Sequence, residues 1–153
     1  MRTPRATWRR SWPTNGNVLA IVDAGPLYAV TDTGDADHVS CLAVLQRSEL
    51  HLVIPALVIA EVTFLVGRRL GPRAEARFLA GLEDFDVEAP APQDWPRIAT
   101  LVEQYGDFPL GGTDASVIAL AERLNTDLVI TLDRRHFGAV RPNHCSALRL
   151  LPD

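Results

Sequence analysis

The sequence predicts a single α/β domain built on a mainly parallel central sheet with helices on both faces. The chain has 153 residues, of which 47% are hydrophobic and 22% are charged. A chain of this length suits one domain, and its core can be large enough to fold without disulfides or metals. Short apolar segments alternate with helix-length segments along the chain, which is typical of parallel strands joined by crossover helices.

Five short segments are rich in β-branched and apolar residues, which favours buried strands. These predicted strands are residues 18–22, 51–54, 85–88, 127–131 and 147–151. Between them, prolines and polar capping residues begin helical segments, and several of these end at Gly or Asn. The predicted helices are a short one opened by Pro26, one capped by Asp35 or Asp37 that runs to about Arg47, one that follows Pro55 and ends at Gly71, one over 72–82, one opened by Pro92 or Asp94 that runs to Tyr105, one capped by Thr113 that runs to about Asn125, and a helical turn at 134–140.

The N-terminal 17 residues differ from the rest in charge. They contain four Arg and no acid, whereas the remaining 136 residues hold 11 Arg against 19 acids. Prolines and the Asn15-Gly16 pair disfavour regular structure there. We therefore expect residues 1–17 to be a flexible basic arm and residues 18–153 to form the domain.

Composition also limits the cellular setting. The formal net charge of −4 excludes a wholly basic nucleic-acid-binding protein. No apolar run reaches the roughly 18 residues that a membrane span requires. Two widely separated cysteines, Cys41 and Cys145, do not form a disulfide framework and favour a reducing compartment. We expect a cytoplasmic protein with no membrane contact.

Carboxylates fall where a sheet of this kind binds ligands, beyond the carboxyl ends of its strands. Asp23 follows the first predicted strand and Asp133 the fourth, although an Asp there also caps turns. Glu61 lies in a helix that is apolar almost all round, which predicts that the helix is buried. The alternative is a Glu near the helix end that reaches solvent or an Arg such as Arg68. Asp114 lies in a first helical turn, where the helix dipole also favours acids.

Convergence of these four acids would create strong mutual repulsion. Divalent cations that prefer oxygen ligands relieve such repulsion, and Mg²⁺ or Mn²⁺ fits best. A site of this kind suits phosphoryl-transfer chemistry, in which metal ions activate water and neutralise developing charge.

The sequence resembles a PIN domain, specifically a VapC-type toxin of a bacterial toxin–antitoxin pair. The resemblance extends over roughly residues 18–151, and its acids occur in the family's order and spacing. Its motifs are the segments 21–27, 54–62, 109–115 with 119–123, and 130–137, the last reading Ile-Thr-Leu-Asp-Arg-Arg-His-Phe. The four segments in this order are specific evidence for the family, although each segment alone is weak evidence.

The resemblance implies a metal-dependent endoribonuclease, in which metal-activated water hydrolyses RNA phosphodiesters. It assigns one or two Mg²⁺ or Mn²⁺ ions to four acids, which are Asp23, Glu61, Asp114 and Asp133. Thr131 matches a hydroxyl that orients a carboxylate or water, and Asp107 lies near an often acidic position. Implied partners are tRNA or ribosomal RNA as substrate, a cognate VapB-type antitoxin and a second copy in a homodimer. Ala24 departs from the usual Ser or Thr after the first acid.

Flanking residues complete this hypothesis. Arg134 and Arg135 directly follow the last acid, which makes them candidates for RNA contacts. The four histidines lack zinc spacing, although His136 is near enough to Asp133 to contact substrate.

Two alternatives remain open. A non-catalytic PIN-like module that binds RNA or protein is disfavoured because all four acids are present. A different metal-dependent phosphohydrolase is also conceivable. A phosphatase of the haloacid-dehalogenase type needs Asp-x-Asp after strand one, whereas this chain has Asp23-Ala24-Gly25.

Overall fold

The computed structural model describes residues 18–153, and the expected flexible arm over residues 1–17 lies outside them. The sheet has five strands, which are β1 (Val18–Val22), β2 (Leu50–Pro55), β3 (Asp86–Glu88), β4 (Leu128–Ile130) and β5 (Arg149–Leu151). Their spatial order is β3-β2-β1-β4-β5, and every neighbouring pair is parallel. The predicted parallel α/β fold is confirmed.

Within residues 18–153, seven α-helices and one short 3-10 helix (Leu82–Asp84) connect or flank the strands. The α-helices are α1 (Ala24–Thr31), α2 (His38–Leu45), α3 (Ala56–Leu70), α4 (Pro72–Gly81), α5 (Asp94–Gln104), α6 (Gly112–Arg123) and α7 (Arg134–Ala139). Two helix starts differ from the prediction. Helix α1 begins at Ala24, two residues before Pro26. Helix α6 begins at Gly112 rather than after a Thr113 cap, because the Gly111 carbonyl already accepts the Ala115 backbone N–H at 2.9 Å.

The order of the strands places a switch point beside β1. The chain adds β2 and β3 on one side of β1 and then β4 and β5 on the other. In open α/β sheets, ligands bind at such a point, beyond the carboxyl ends of the strands. Helix α6, buried from Ala115 to Ala121, packs against β1 and β2 below this edge. The small residues of α6 therefore bring its first turn close to the edge, as the sequence predicted.

Helix α3 is not buried all round, so that prediction was wrong. Its buried residues are Val58, Val62 and Val66, which recur every four residues and form one stripe. Phe64 is 64% exposed, and Glu61 is also exposed. A single chain can cover only the face of α3 that meets the sheet and its neighbouring helices, and the apolar composition did not reveal this.

Within residues 18–153, no helix combines the length and the apolar character needed to cross a bilayer.

Candidate active site

Asp23 and Thr131 join the ends of the two central strands. The Asp23 backbone N–H donates to the Ile130 carbonyl at 2.9 Å, which fixes the position of the residue directly after β1. The Thr131 hydroxyl donates to Asp23 Oδ2 at 2.7 Å and accepts the Asp133 backbone N–H at 3.0 Å. One buried hydroxyl therefore connects the two strand ends that carry acids.

The other carboxylate oxygen of Asp23 is buried without a hydrogen-bond partner within residues 18–153. Asp23 is only 5% exposed, and its Oδ1 atom is buried without a hydrogen bond from any described residue. Burial, followed by the negative charges of Glu61 and Asp133, raises the pKa of Asp23 to about 6 even though Thr131 and the Ala24 backbone N–H donate to it. A buried carboxylate oxygen without a donor is costly, and a cation would relieve it.

Asp133 caps helix α7 and contacts His136. Its Oδ1 atom accepts the His136 backbone N–H at 2.9 Å, and its Oδ2 atom lies 2.5 Å from His136 Nδ1. Burial opposes ionisation, but the two hydrogen bonds and the positive charges of His136 and Arg135 hold the pKa of Asp133 below its ordinary value. Asp133 therefore remains an anion that is fixed in orientation.

Asp114 comes to the same place from helix α6. One ligand atom each from Asp114, Asp133 and His136 lie within 4.8 Å of one another. Burial, followed by the negative charges of Asp23, Asp133 and Glu61, raises the pKa of Asp114 to about 7 against the opposing charge of His136. Such a high value shows how strongly burial and the surrounding carboxylates together disfavour the charged form of Asp114.

Glu61 reaches the group from the exposed face of α3. Its charge contributes to the raised pKa of both Asp23 and Asp114, so it lies within electrostatic reach of them although its own side chain is exposed. Asp107 is also exposed, in the loop between α5 and α6. We call Asp23, Glu61, Asp114 and Asp133 the acid cluster.

The two arginines after Asp133 point to different neighbours. The Arg134 guanidinium donates to the Pro152 carbonyl. The Arg135 guanidinium lies over the Phe108 ring, 5.3 Å from its centroid, and His136 packs edge-on against the same ring at 4.8 Å. Sequence reasoning missed Phe108, which lies 27 residues before Arg135. The sequence predicts His136 only as a possible substrate contact, although its position three residues after a capping Asp also favours hydrogen bonds to that Asp.

A glycine permits close packing between the two strand ends. A Cβ atom added to Gly25 would lie 3.3 Å from Leu132 Cβ, which is tighter than ordinary van der Waals contact. The first turn of α1 can therefore approach the loop between Thr131 and Asp133, and Asp23 stays within hydrogen-bond reach of Thr131.

The donor set suits a hard divalent cation. The acid cluster offers carboxylate oxygens, including the unpartnered Asp23 Oδ1, and oxygen ligands are what Mg²⁺ and Mn²⁺ prefer. These residues could hold such an ion at the switch point of the sheet.

Comparison with known proteins identifies the family. The family model for the PIN domain matches residues 20–141. Ribonuclease VapC26 of Mycobacterium tuberculosis is 34% identical over 124 residues, which cover 80% of this chain and 92% of the relative.

Solved structures share the fold. One is the crystal structure of M. tuberculosis VapC20, described as a Sarcin–Ricin loop cleaving toxin. It has a TM-score of 0.67 at 19% sequence identity, and the match covers 72% of this chain and 86% of the VapC20 chain. VapBC2 from Rickettsia felis, bound to a DNA fragment from its promoter, has a TM-score of 0.65 at 12% identity and covers 88% of this chain and all of that chain. The chain therefore belongs to the PIN-domain family and, within it, to the VapC-type ribonuclease toxins of toxin–antitoxin systems.

Proposed function

We propose that this VapC-type toxin is a metal-dependent endoribonuclease in which the acid cluster holds Mg²⁺ or Mn²⁺. The observation that carries this proposal is the buried, unpartnered Oδ1 atom of Asp23 beside the other carboxylates. The raised pKa of Asp114, about 7, supports it, because a cation would restore both groups to their charged form.

The protein's own residues prepare this site for hydrolysis. A bound divalent ion would supply activation of a water molecule and neutralise charge that develops on the phosphodiester. Thr131 donates to Asp23 Oδ2 and so leaves Oδ1 available as a ligand. His136 holds the orientation of Asp133 through its backbone N–H and its ring. Thr131 is thus a positioning residue. It supplies a hydroxyl beside Asp23, whereas Ala24, at the position where the family usually has Ser or Thr, has none.

The substrate and partners follow from the same proposal. RNA, with tRNA or ribosomal RNA as candidates, would approach the acid cluster past Arg134 and Arg135. A VapB-type antitoxin would inhibit the enzyme in the cytoplasm. A second copy would cover the apolar face of α3, where Phe64 is 64% exposed. Residues 18–153 would form the PIN domain and residues 1–17 an arm outside it.

Metal-dependent RNA cleavage tests the proposal directly. Purified protein, freed of any copurifying antitoxin, is incubated with total RNA in Mn²⁺, in Mg²⁺ or in EDTA, and the products are resolved on a denaturing gel. We expect discrete fragments with either metal and none in EDTA. Asp114→Asn should abolish cleavage. Asp127→Asn is the matched control, because Asp127 pairs with Arg149 on the surface and should leave cleavage unchanged.

Cleavage that persists in EDTA, or that survives in Asp114→Asn, would contradict the assigned metal site. Failure of folded protein to cut tRNA and ribosomal RNA under any metal condition would contradict the proposed activity.

A further inference from the structure

Three side chains form a stack beside the acid cluster, and the proposed function has not used all of them. Phe108 is half-buried in the loop between α5 and α6. The Arg135 guanidinium lies over its ring at 5.3 Å, and the His136 ring meets it edge-on, with 4.8 Å between centroids and 63° between planes. We call Phe108, Arg135 and His136 the rim stack. One aromatic ring therefore contacts both residues that follow Arg134 along the chain.

The rim stack is directly connected to the acid cluster. His136 Nδ1 lies 2.5 Å from Asp133 Oδ2, and the charge of Arg135 helps to lower the pKa of Asp133 against the effect of burial. Arg135 is therefore close enough to influence a proposed metal ligand. It is also exposed, so that a substrate molecule can reach it.

Arg135 differs from the arginines that have an acceptor in the protein, and it shares its stacked arrangement with Arg68 over Phe64 and Arg69 over Tyr28. Arg68 and Arg69 lie in the last turn of α3, whereas Arg135 lies close enough to Asp133 to lower the pKa of that carboxyl. Arg97, Arg123 and Arg149 each form an ion pair with a carboxylate. Arg134 donates to the Pro152 carbonyl. Over residues 18–153, Arg135 has no carboxylate partner and no hydrogen-bond acceptor. Stacking on a ring occupies the face of a guanidinium and leaves its N–H edges free to bind an anion.

We propose that Phe108 is a positioning residue that holds Arg135 against a backbone phosphate of bound RNA, beside the phosphodiester that is cut. The inference rests on the proposed ribonuclease function. An acidic site repels the RNA backbone, so a fixed guanidinium at its rim supplies attraction where the metal ions do not reach. A charge-assisted bond from an Arg that is already oriented loses less side-chain entropy than one from a free side chain.

Binding measurements separate this proposal from cleavage. The Asp114→Asn protein, which should bind RNA without cutting it, is titrated in Mg²⁺ against a fluorescein-labelled single-stranded RNA of mixed sequence, and anisotropy gives Kd at several salt concentrations. Adding Arg135→Ala should raise Kd about tenfold and reduce the slope of log Kd against log salt by about 0.7, as loss of one phosphate contact does for a single strand. Arg149→Ala is the matched control, since it removes one positive charge that is paired with Asp127 on the surface and should change Kd less than about twofold.

Substitution of Phe108 tests the positioning role without changing charge. Phe108→Leu keeps an apolar side chain but removes the ring, and it should raise Kd at least about threefold. Phe108→Tyr restores the ring and should restore Kd. In protein that retains Asp114, both Arg135→Ala and Phe108→Leu should raise KM for cleavage more than they lower kcat. Thermal melting of each variant shows that the fold is intact.

Two results would overturn the inference. Equal effects of Arg149→Ala and Arg135→Ala on Kd would mean that Arg135 contributes only general surface charge. An unchanged Kd and salt slope in Phe108→Leu would remove the positioning role of the ring. A protein that cleaves RNA can give either result, so neither would contradict the proposed function. A protein that cleaves no RNA would contradict the proposed function itself.

Discussion

Replacing Asp23 by Asn should make the protein inactive and, without metal, more stable. Asp23 is 5% exposed, and its Oδ1 atom has no protein partner among residues 18–153. Burial and the charges of Glu61 and Asp133 raise its pKa from 3.8 to about 6. The amide of Asn is neutral, and its oxygen can still accept the hydrogen bond from Thr131. The variant therefore loses the buried charge and keeps the fold.

The size of the effect follows from linkage between protonation and folding. When the pKa of an acid is higher in the folded state than in the unfolded state, the free energy of unfolding falls as the pH rises above the unfolded-state pKa. The fall is complete once the pH is above the folded-state pKa. Between 3.8 and about 6, each pH unit costs about 1.4 kcal/mol, so full ionisation of Asp23 costs roughly 3 kcal/mol. Asp23→Asn should recover most of this, which corresponds to a rise in Tm of roughly 5–10 °C.

Thermal unfolding in EDTA provides the assay. The gain in Tm should be largest near about pH 8 and should fall to about a third near about pH 4.5, because Asp23 is then largely protonated in the folded wild type. Asp127→Asn is the control. Its ion pair with Arg149 lowers the pKa of Asp127, so that substitution should give no gain. Saturating Mn²⁺ should reverse the order of stability by stabilising the wild type alone.

The reasoning fails if Asp23→Asn is no more stable than the wild type in EDTA at alkaline pH. It also fails if the gain is the same at both pH values, because a pH-independent gain would come from packing and not from a buried charge.

Three further predictions concern the surroundings of the site. Thr131→Val removes the hydroxyl that bonds Asp23 and Asp133. The free energy of unfolding should fall by about 1–3 kcal/mol, and single-turnover cleavage should slow at least about tenfold. Unchanged cleavage would mean that neither acid needs this hydroxyl. Arg123→Ala leaves the buried Asp94 without its guanidinium partner. The free energy of unfolding should drop by about 3 kcal/mol, and cleavage below the melting temperature should stay intact. A loss of stability of less than about 1 kcal/mol would show that Asp94 is solvated. Mn²⁺ at about 100 times its Kd should stabilise the wild type by about 2.7 kcal/mol in thermal melts, and an absent shift would count against a bound ion.

Much of the fold could be predicted from local sequence. The strand at residues 18–22 and the one near residue 130 are apolar runs that end at polar residues, and the structure places them side by side in the centre of a parallel sheet. Parallel strands bring their carboxyl ends to one edge, so the proximity of Asp23 and Asp133 follows from topology.

Other features depend on contacts that no short segment encodes. The exposure of Glu61 could not be read from an apolar helix, because composition does not say which face the rest of the chain covers. The stacking of Arg135 on Phe108 depends on the conformation of the loop between α5 and α6. Helix α6 begins at Gly112 because a backbone carbonyl, not a side chain, accepts its first hydrogen bond.

The link between Thr131 and β5 has a consequence for synthesis on the ribosome. The Thr131 backbone N–H donates to the Leu151 carbonyl at 2.8 Å, so the loop that carries Thr131 and Asp133 is anchored by the last strand of the sheet. Domains emerge from the ribosome in order from the amino end. A nascent chain that already exposes Asp23, Glu61 and Asp114 therefore still lacks the anchored loop until β5 has left the exit tunnel. The acid cluster is therefore complete only after β5 has emerged, and under the proposed function translation products that stop before β5 should be unable to cut RNA.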